Sequence, residues 1–73
     1  MKIGVVGIGR WGTKVAREYI ALMDEGVIDS VILCDADSSR LKSFVDVAVT
    51  CNQLDDVIRK ADGIHICTPN STH

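Results

Sequence analysis

The chain has no long hydrophobic run, no cluster of basic residues and no even complement of cysteines. Each absence removes a class of protein. No apolar stretch approaches the roughly 18 residues that a membrane-spanning helix needs, so no membrane partner is expected. Its 8 Lys and Arg are interspersed with 10 Asp and Glu, for a net charge of −2. A nucleic-acid footprint needs clustered positive charge, and that partner is excluded as well. The 3 cysteines are an odd number, and Cys34 and Cys67 each lie inside an apolar run. They read as buried free thiols in a reducing cytosol, not as a disulfide framework. His65 is flanked by Ile64 and Ile66 and reads as a packed histidine; with Cys67 it makes no zinc site, because no second pair follows. Repeats, linkers and low-complexity segments are missing too. Met1-Lys2 runs straight into a strand-like segment, which argues against a secretory signal. The sequon Asn70-Ser71-Thr72 is then a chance match, and the expected location is the cytoplasm.

What is present is a short, apolar chain. Its 73 residues, 47% of them hydrophobic, bound it to one small domain with a marginal core and exclude a disordered polymer. Residues 2–6 are β-branched and lack clean alternation, as in a strand buried on both faces of a parallel sheet. From Arg10 the period changes. Trp11, Val15, Ala16, Tyr19, Ile20 and Met23 recur at helical spacing, with Lys14, Arg17, Glu18 and Asp24 on the other side and Gly26 as the stop. On this reading Trp11 starts the packing stripe.

Val31 to Cys34 is a second buried strand. A helix follows, capped by Asp37 or Ser38, with Leu41, Phe44 and Val45 as its apolar stripe. Val47 to Thr50 reads as a short third strand. Leu54, Val57, Ile58 and Ala61 mark a third helix with Asn52 as its cap, and Gly63 to Cys67 a fourth strand stopped by Thr68-Pro69. Strands alternating with helices predict an α/β, Rossmann-like three-layer fold. It has a parallel sheet of four strands with three helices, the first part of a doubly wound domain. Such a sheet calls for a further crossover helix after its fourth strand. Residues 1–73 are therefore expected to be the N-terminal part of a longer Rossmann domain.

The first strand runs into Gly7-Ile8-Gly9-Arg10-Trp11-Gly12, the pattern G-x-G-x-x-G. Between a strand and a helix this pattern has a mechanical meaning. Gly7 permits the tight turn, Gly9 lets the backbone approach a pyrophosphate, and Gly12 lets the helix pack on the strand. The free amides and positive end of the helix then meet the phosphates. Arg10 is placed to help neutralise them. Asp35 lies 23 positions beyond Gly12, at the carboxyl end of the second strand. A carboxylate there accepts hydrogen bonds from ribose hydroxyls and repels a 2′-phosphate, favouring NAD; Arg40 and the serines at 38 and 39 keep NADP open. Thr68-Pro69-Asn70 ends the fourth strand on the side where ligands of such sheets gather. No acid–base or nucleophile constellation is present.

Gly7-Ile8-Gly9-Arg10-Trp11-Gly12, Asp35 and Thr68-Pro69-Asn70-Ser71-Thr72-His73 together resemble the glucose-fructose oxidoreductase / inositol dehydrogenase (Gfo/Idh/MocA) family. Its members begin with a similar strand and glycine loop and close the fourth strand with T-P-N-x-x-H. The resemblance spans the whole chain, and the T-P-N-x-x-H ending is its most discriminating part.

The resemblance implies a dinucleotide cofactor, NAD or NADP, held by Gly7, Ile8, Gly9, Arg10, Trp11, Gly12, Asp35, Thr68, Pro69 and Asn70, with His73 close by. It implies hydride transfer at a hydroxyl-bearing carbon of a sugar, cyclitol or related small molecule. The family's catalytic lysine belongs to an E-K-P motif that would fall beyond residue 73, as would the substrate domain, so no catalytic residue is assigned here. Assembly of the parent as a homo-oligomer stays open. Two other classes share the glycine loop and strand-end acid: a non-catalytic NAD-sensing regulatory domain, which lacks the T-P-N-x-x-H ending, and an S-adenosylmethionine-binding domain.

Overall fold

A computed structural model describes residues 1–67. Four strands, β1 (Lys2–Val6), β2 (Ser30–Cys34), β3 (Val49–Cys51) and β4 (Gly63–Ile66), pair in parallel in the order β3-β2-β1-β4. The chain builds outward from β1 to β3, then returns to the other side of β1 for β4. The order therefore reverses between β1 and β4, and the glycine loop leaves β1 at that reversal.

Side chains alternate across a strand, so each central strand supplies both faces. Val5 of β1 and Val31 and Leu33 of β2 pack with Val15 and Ala16 of helix α1 (Arg10–Asp24) and with Leu41 and Phe44. Ile32 and Cys34 pack on the opposite face with Val57 of helix α2 (Leu54–Lys60). Two layers of helix thus sandwich the sheet, as the unalternating apolar strands require. Gly4 is part of that fit: a Cβ there would stand 2.3 Å from Val57 Cγ1.

Helix α1 stops as its sequence predicts. Gly26 has φ +81°, and its N–H bonds to the Met23 carbonyl while the Val27 N–H reaches Leu22, the paired closure of a Schellman motif. The second helical segment is a pair of 3₁₀ turns, Ser38–Arg40 and Lys42–Phe44, in place of an α-helix. The Asp37 carboxylate caps it by accepting from the Ser39 N–H at 3.0 Å, as expected. Serines there compete for backbone hydrogen bonds and disfavour a long helix. Leu41 and Phe44 are buried, whereas Val45 faces solvent.

Three features depart from the sequence pattern. β3 begins at Val49 because its register against β2 pairs Ile32 with Val49 and leaves Val47 exposed. Gln53, not Asn52, occupies the α2 cap position, without a side-chain bond. On α2 only Val57 is buried, and Leu54 and Ile58 are exposed.

Candidate dinucleotide-binding site

The glycines of the loop divide by what constrains them. Gly7 has φ +90°, a conformation that L side chains rarely adopt, and its N–H bonds to the Cys34 carbonyl at 2.9 Å. Gly12 is fixed by packing, since a Cβ there would fall 1.8 Å from the Gly7 carbonyl oxygen and 3.4 Å from Cys67 Cβ. Gly9 is different. Its backbone is extended, at φ −86° and ψ −155°, and its nearest neighbour on adding a Cβ is the Arg40 guanidinium at 3.8 Å. Nothing within the described residues demands a glycine at position 9. What a Cβ would fill there is the approach to the loop from outside, the side from which G-x-G-x-x-G loops in general receive a pyrophosphate.

Gly9 is also the N-cap of α1 and has no side chain to cap it. The first-turn N–H groups of Arg10, Trp11 and Gly12 have no intrahelical acceptors. The first turn of α1 carries no acid, whereas that of α2 carries Asp55 and Asp56. The positive end of α1 is thus left uncompensated and has Arg10 beside it, an arrangement that accepts an anion. Ile8 stands apart from its loop neighbours. Its side chain is 2% exposed and belongs to the core, and its N–H is already used. It shapes the loop from beneath.

Asp35 accepts that Ile8 N–H at Oδ2, 2.7 Å away, and the Asp37 N–H at Oδ1, 2.9 Å away. Its side chain is only 9% exposed. Each carboxylate oxygen keeps lone-pair capacity for a further donor. The Arg40 guanidinium lies 3.6 Å from Asp35 Oδ2 and 3.7 Å from Asp37 Oδ2, itself half-exposed. Hydrogen bonds from the Ser39 side chain and backbone hold the Asp37 carboxyl below its usual range, with Arg40 adding to them. From below, Asn52 Nδ2 donates to the Asp35 carbonyl and to Ser38 Oγ, both at 2.9 Å. Sequence periodicity assigned Asn52 to a helix cap; its position under the strand ends comes from the β2–β3 pairing.

Gly9, Arg10, Trp11, Arg40 and Cys67 line a cavity of about 350 Å³ above the ends of β1 and β4. Trp11 is 62% exposed, so it is not part of the packing stripe that its spacing predicted. It lines the cavity instead, with the Lys14 ammonium 5.4 Å from its ring centroid. Cys67 is buried, as expected, and burial pushes its thiol pKa up. Periodicity alone carried no sign that it would form a cavity wall. His65 is exposed instead of packed, because β4 is an edge of the described sheet; its Nδ1 meets the Tyr19 hydroxyl at 3.3 Å. Thr68, Pro69, Asn70 and His73 lie outside the described residues. Among the described residues no group of three His, Cys, Asp or Glu could hold a metal ion, and no helix is long and apolar enough to cross a membrane.

Parallel strands ordered β3-β2-β1-β4, a glycine loop at the reversal and an acid at the end of β2 define a dinucleotide-binding Rossmann domain. The model of the Gfo/Idh/MocA oxidoreductase family, NAD-binding Rossmann fold, matches residues 1–73, and the chain belongs to that family. No curated protein and no solved structure matches it.

Proposed function

We propose that this chain is the cofactor-holding part of an NAD(P)-dependent oxidoreductase acting on a hydroxyl-bearing carbon of a sugar, cyclitol or related small molecule. The observation that carries the reading is Gly9, a motif glycine whose missing side chain no described residue accounts for. The pyrophosphate would lie over Gly9 and accept from the first-turn amides, with Arg10 offsetting its charge. Asp35 would receive the adenosine ribose hydroxyls on its remaining lone pairs. Trp11 and Cys67 would wall the side of the cavity toward β4; Thr68, Pro69, Asn70 and His73, assigned to the cofactor by the family motif, lie outside the described residues. When bound, NAD(P) supplies the hydride chemistry. Cys67 is held protonated by burial and serves as wall, not as base. No described residue is assigned as the proton acceptor of the reaction.

Trp11 is the sole tryptophan, so its fluorescence reports on the cavity directly. Titration with NADH is expected to quench it with saturation, and S-adenosylmethionine at the same concentrations is expected to leave it unchanged. Saturable binding of S-adenosylmethionine without binding of NADH would overturn the reading.

A further inference from the structure

The described residues hold a second reactive arrangement beside the loop. β2 and β3 pair in parallel with Cys34 directly opposite Cys51. Paired positions of parallel strands project to the same face, and both thiols pack with Ile32 and Val57 beneath α2. Adjacent strands lie about 4.8 Å apart, inside the Cα separation that a disulfide bridges. Burial, followed by the neighbouring Cys51 thiol, pushes the Cys34 pKa up to about 12. Cys51 is the accessible member: it is half-buried, and its Sγ lies 3.7 Å from the Gln53 carbonyl.

One cysteine is followed by the acid of the site and the other by a residue that supports it. Cys34 precedes Asp35, and Cys51 precedes Asn52, which holds the Asp35 carbonyl. The Asp35 N–H itself donates to the Cys51 carbonyl at 3.2 Å. A bond between the sulfurs would draw them to about 2.05 Å, well inside the van der Waals contact of two separate thiols, and so shift the strand ends that carry Asp35.

We propose that Cys34 and Cys51 form a reversible cross-strand disulfide, and that closing it weakens dinucleotide binding by displacing Asp35. The coupling rests on the reading of Asp35 as the ribose acid; the bridge itself does not. The oxidant is a small-molecule disulfide. The Cys51 thiolate attacks one of its sulfurs, forming a mixed disulfide and releasing one small thiolate. The Cys34 thiol then attacks the Cys51 sulfur, yields its proton to that thiolate and releases the second small thiolate, which takes up from solvent the proton that Cys51 had given to it. Two protein thiols are oxidised and one small disulfide is reduced to two thiols. Side chains of neighbouring parallel strands stand nearly a strand spacing apart, wider than the Cβ separation of a relaxed disulfide. The bridge is therefore strained and readily reduced.

The three cysteines fall on separate tryptic peptides, residues 18–40, 43–59 and one that begins at 61, so the linkage can be mapped. The full chain is treated with oxidised glutathione, digested without reduction and analysed by mass spectrometry, and NADH affinity is measured before treatment, after it and after dithiothreitol. The expected result is peptide 18–40 joined to 43–59 with loss of two hydrogens. NADH affinity should fall about fivefold or more, a typical coupling, and return on reduction. Cys51→Ser should abolish both effects, and Cys34→Ser should stop at the glutathione adduct.

Linkage through Cys67, or glutathione adducts without a Cys34–Cys51 bridge, would overturn the proposal whatever Asp35 does. A mapped bridge with unchanged NADH affinity would overturn the coupling. Asp35→Ala in the reduced protein separates the two readings: if that variant binds NADH normally, the ribose assignment fails on its own account.

Discussion

Asp35 Oδ2 accepts the backbone N–H of Ile8 at 2.7 Å, tying the end of β2 to the glycine loop that leaves β1. The acid assigned to the ribose is thus also a structural clamp on the loop assigned to the pyrophosphate. This hydrogen bond joins the two halves of the site directly.

Asp35→Ala is therefore expected to have two effects. It leaves the partly buried Ile8 N–H without its acceptor, at a cost of about 1–3 kcal/mol in stability, and it weakens NADH binding. Asp35→Asn keeps one oxygen acceptor and should recover part of the stability. Chemical denaturation and NADH titration of both variants, run side by side, separate the clamp from the ribose contact.

Gly9→Ala and Gly12→Ala should part company. At Gly12 the added Cβ meets the Gly7 carbonyl oxygen at 1.8 Å, so α1 must move, at an expected cost of about 1–3 kcal/mol or more. At Gly9 the nearest atom is 3.8 Å away, and the melting temperature should barely change. NADH affinity of Gly9→Ala should nevertheless fall about tenfold or more, equivalent to about 1.4 kcal/mol. A Gly9→Ala protein with unaltered affinity would remove the main support for the cofactor reading.

Arg40 lies beside Asp35 and on the cavity wall, where it offers a partner to a 2′-phosphate. Arg40→Ala is expected to lower NADPH affinity about five- to tenfold relative to NADH, as one charge-assisted contact is lost. Equal loss for both dinucleotides would assign Arg40 to the shared pyrophosphate or adenosine instead.

The raised pKa of Cys34, about 12 against an ordinary value of 9.0, makes a prediction for alkaline solution. The folded state keeps this proton where the unfolded chain releases it, so its contribution is complete below pH 9.0 and is lost as pH rises toward 12. Stability should decline there by up to about 1.4 kcal/mol per pH unit from this group. Cys34→Ala should show a shallower decline, measured by urea unfolding at successive pH values.

The sequence by itself determined the order of strands and helices, because apolar runs without alternation have only the interior of a parallel sheet to occupy. It also determined the turn at Gly7, the stop at Gly26 and the cap at Asp37, where local backbone geometry decides the residue. Tertiary structure alone decided which residues meet. The fit of α2 onto Gly4, the contact of Asp35 with Ile8 and the facing of Cys34 by Cys51 all join residues distant in the chain through sheet register, which periodicity does not encode. For the same reason Trp11, placed by helical spacing among core residues, is exposed. α1 carries its first turn past the end of the sheet and over the cavity, where there is no strand left to pack against.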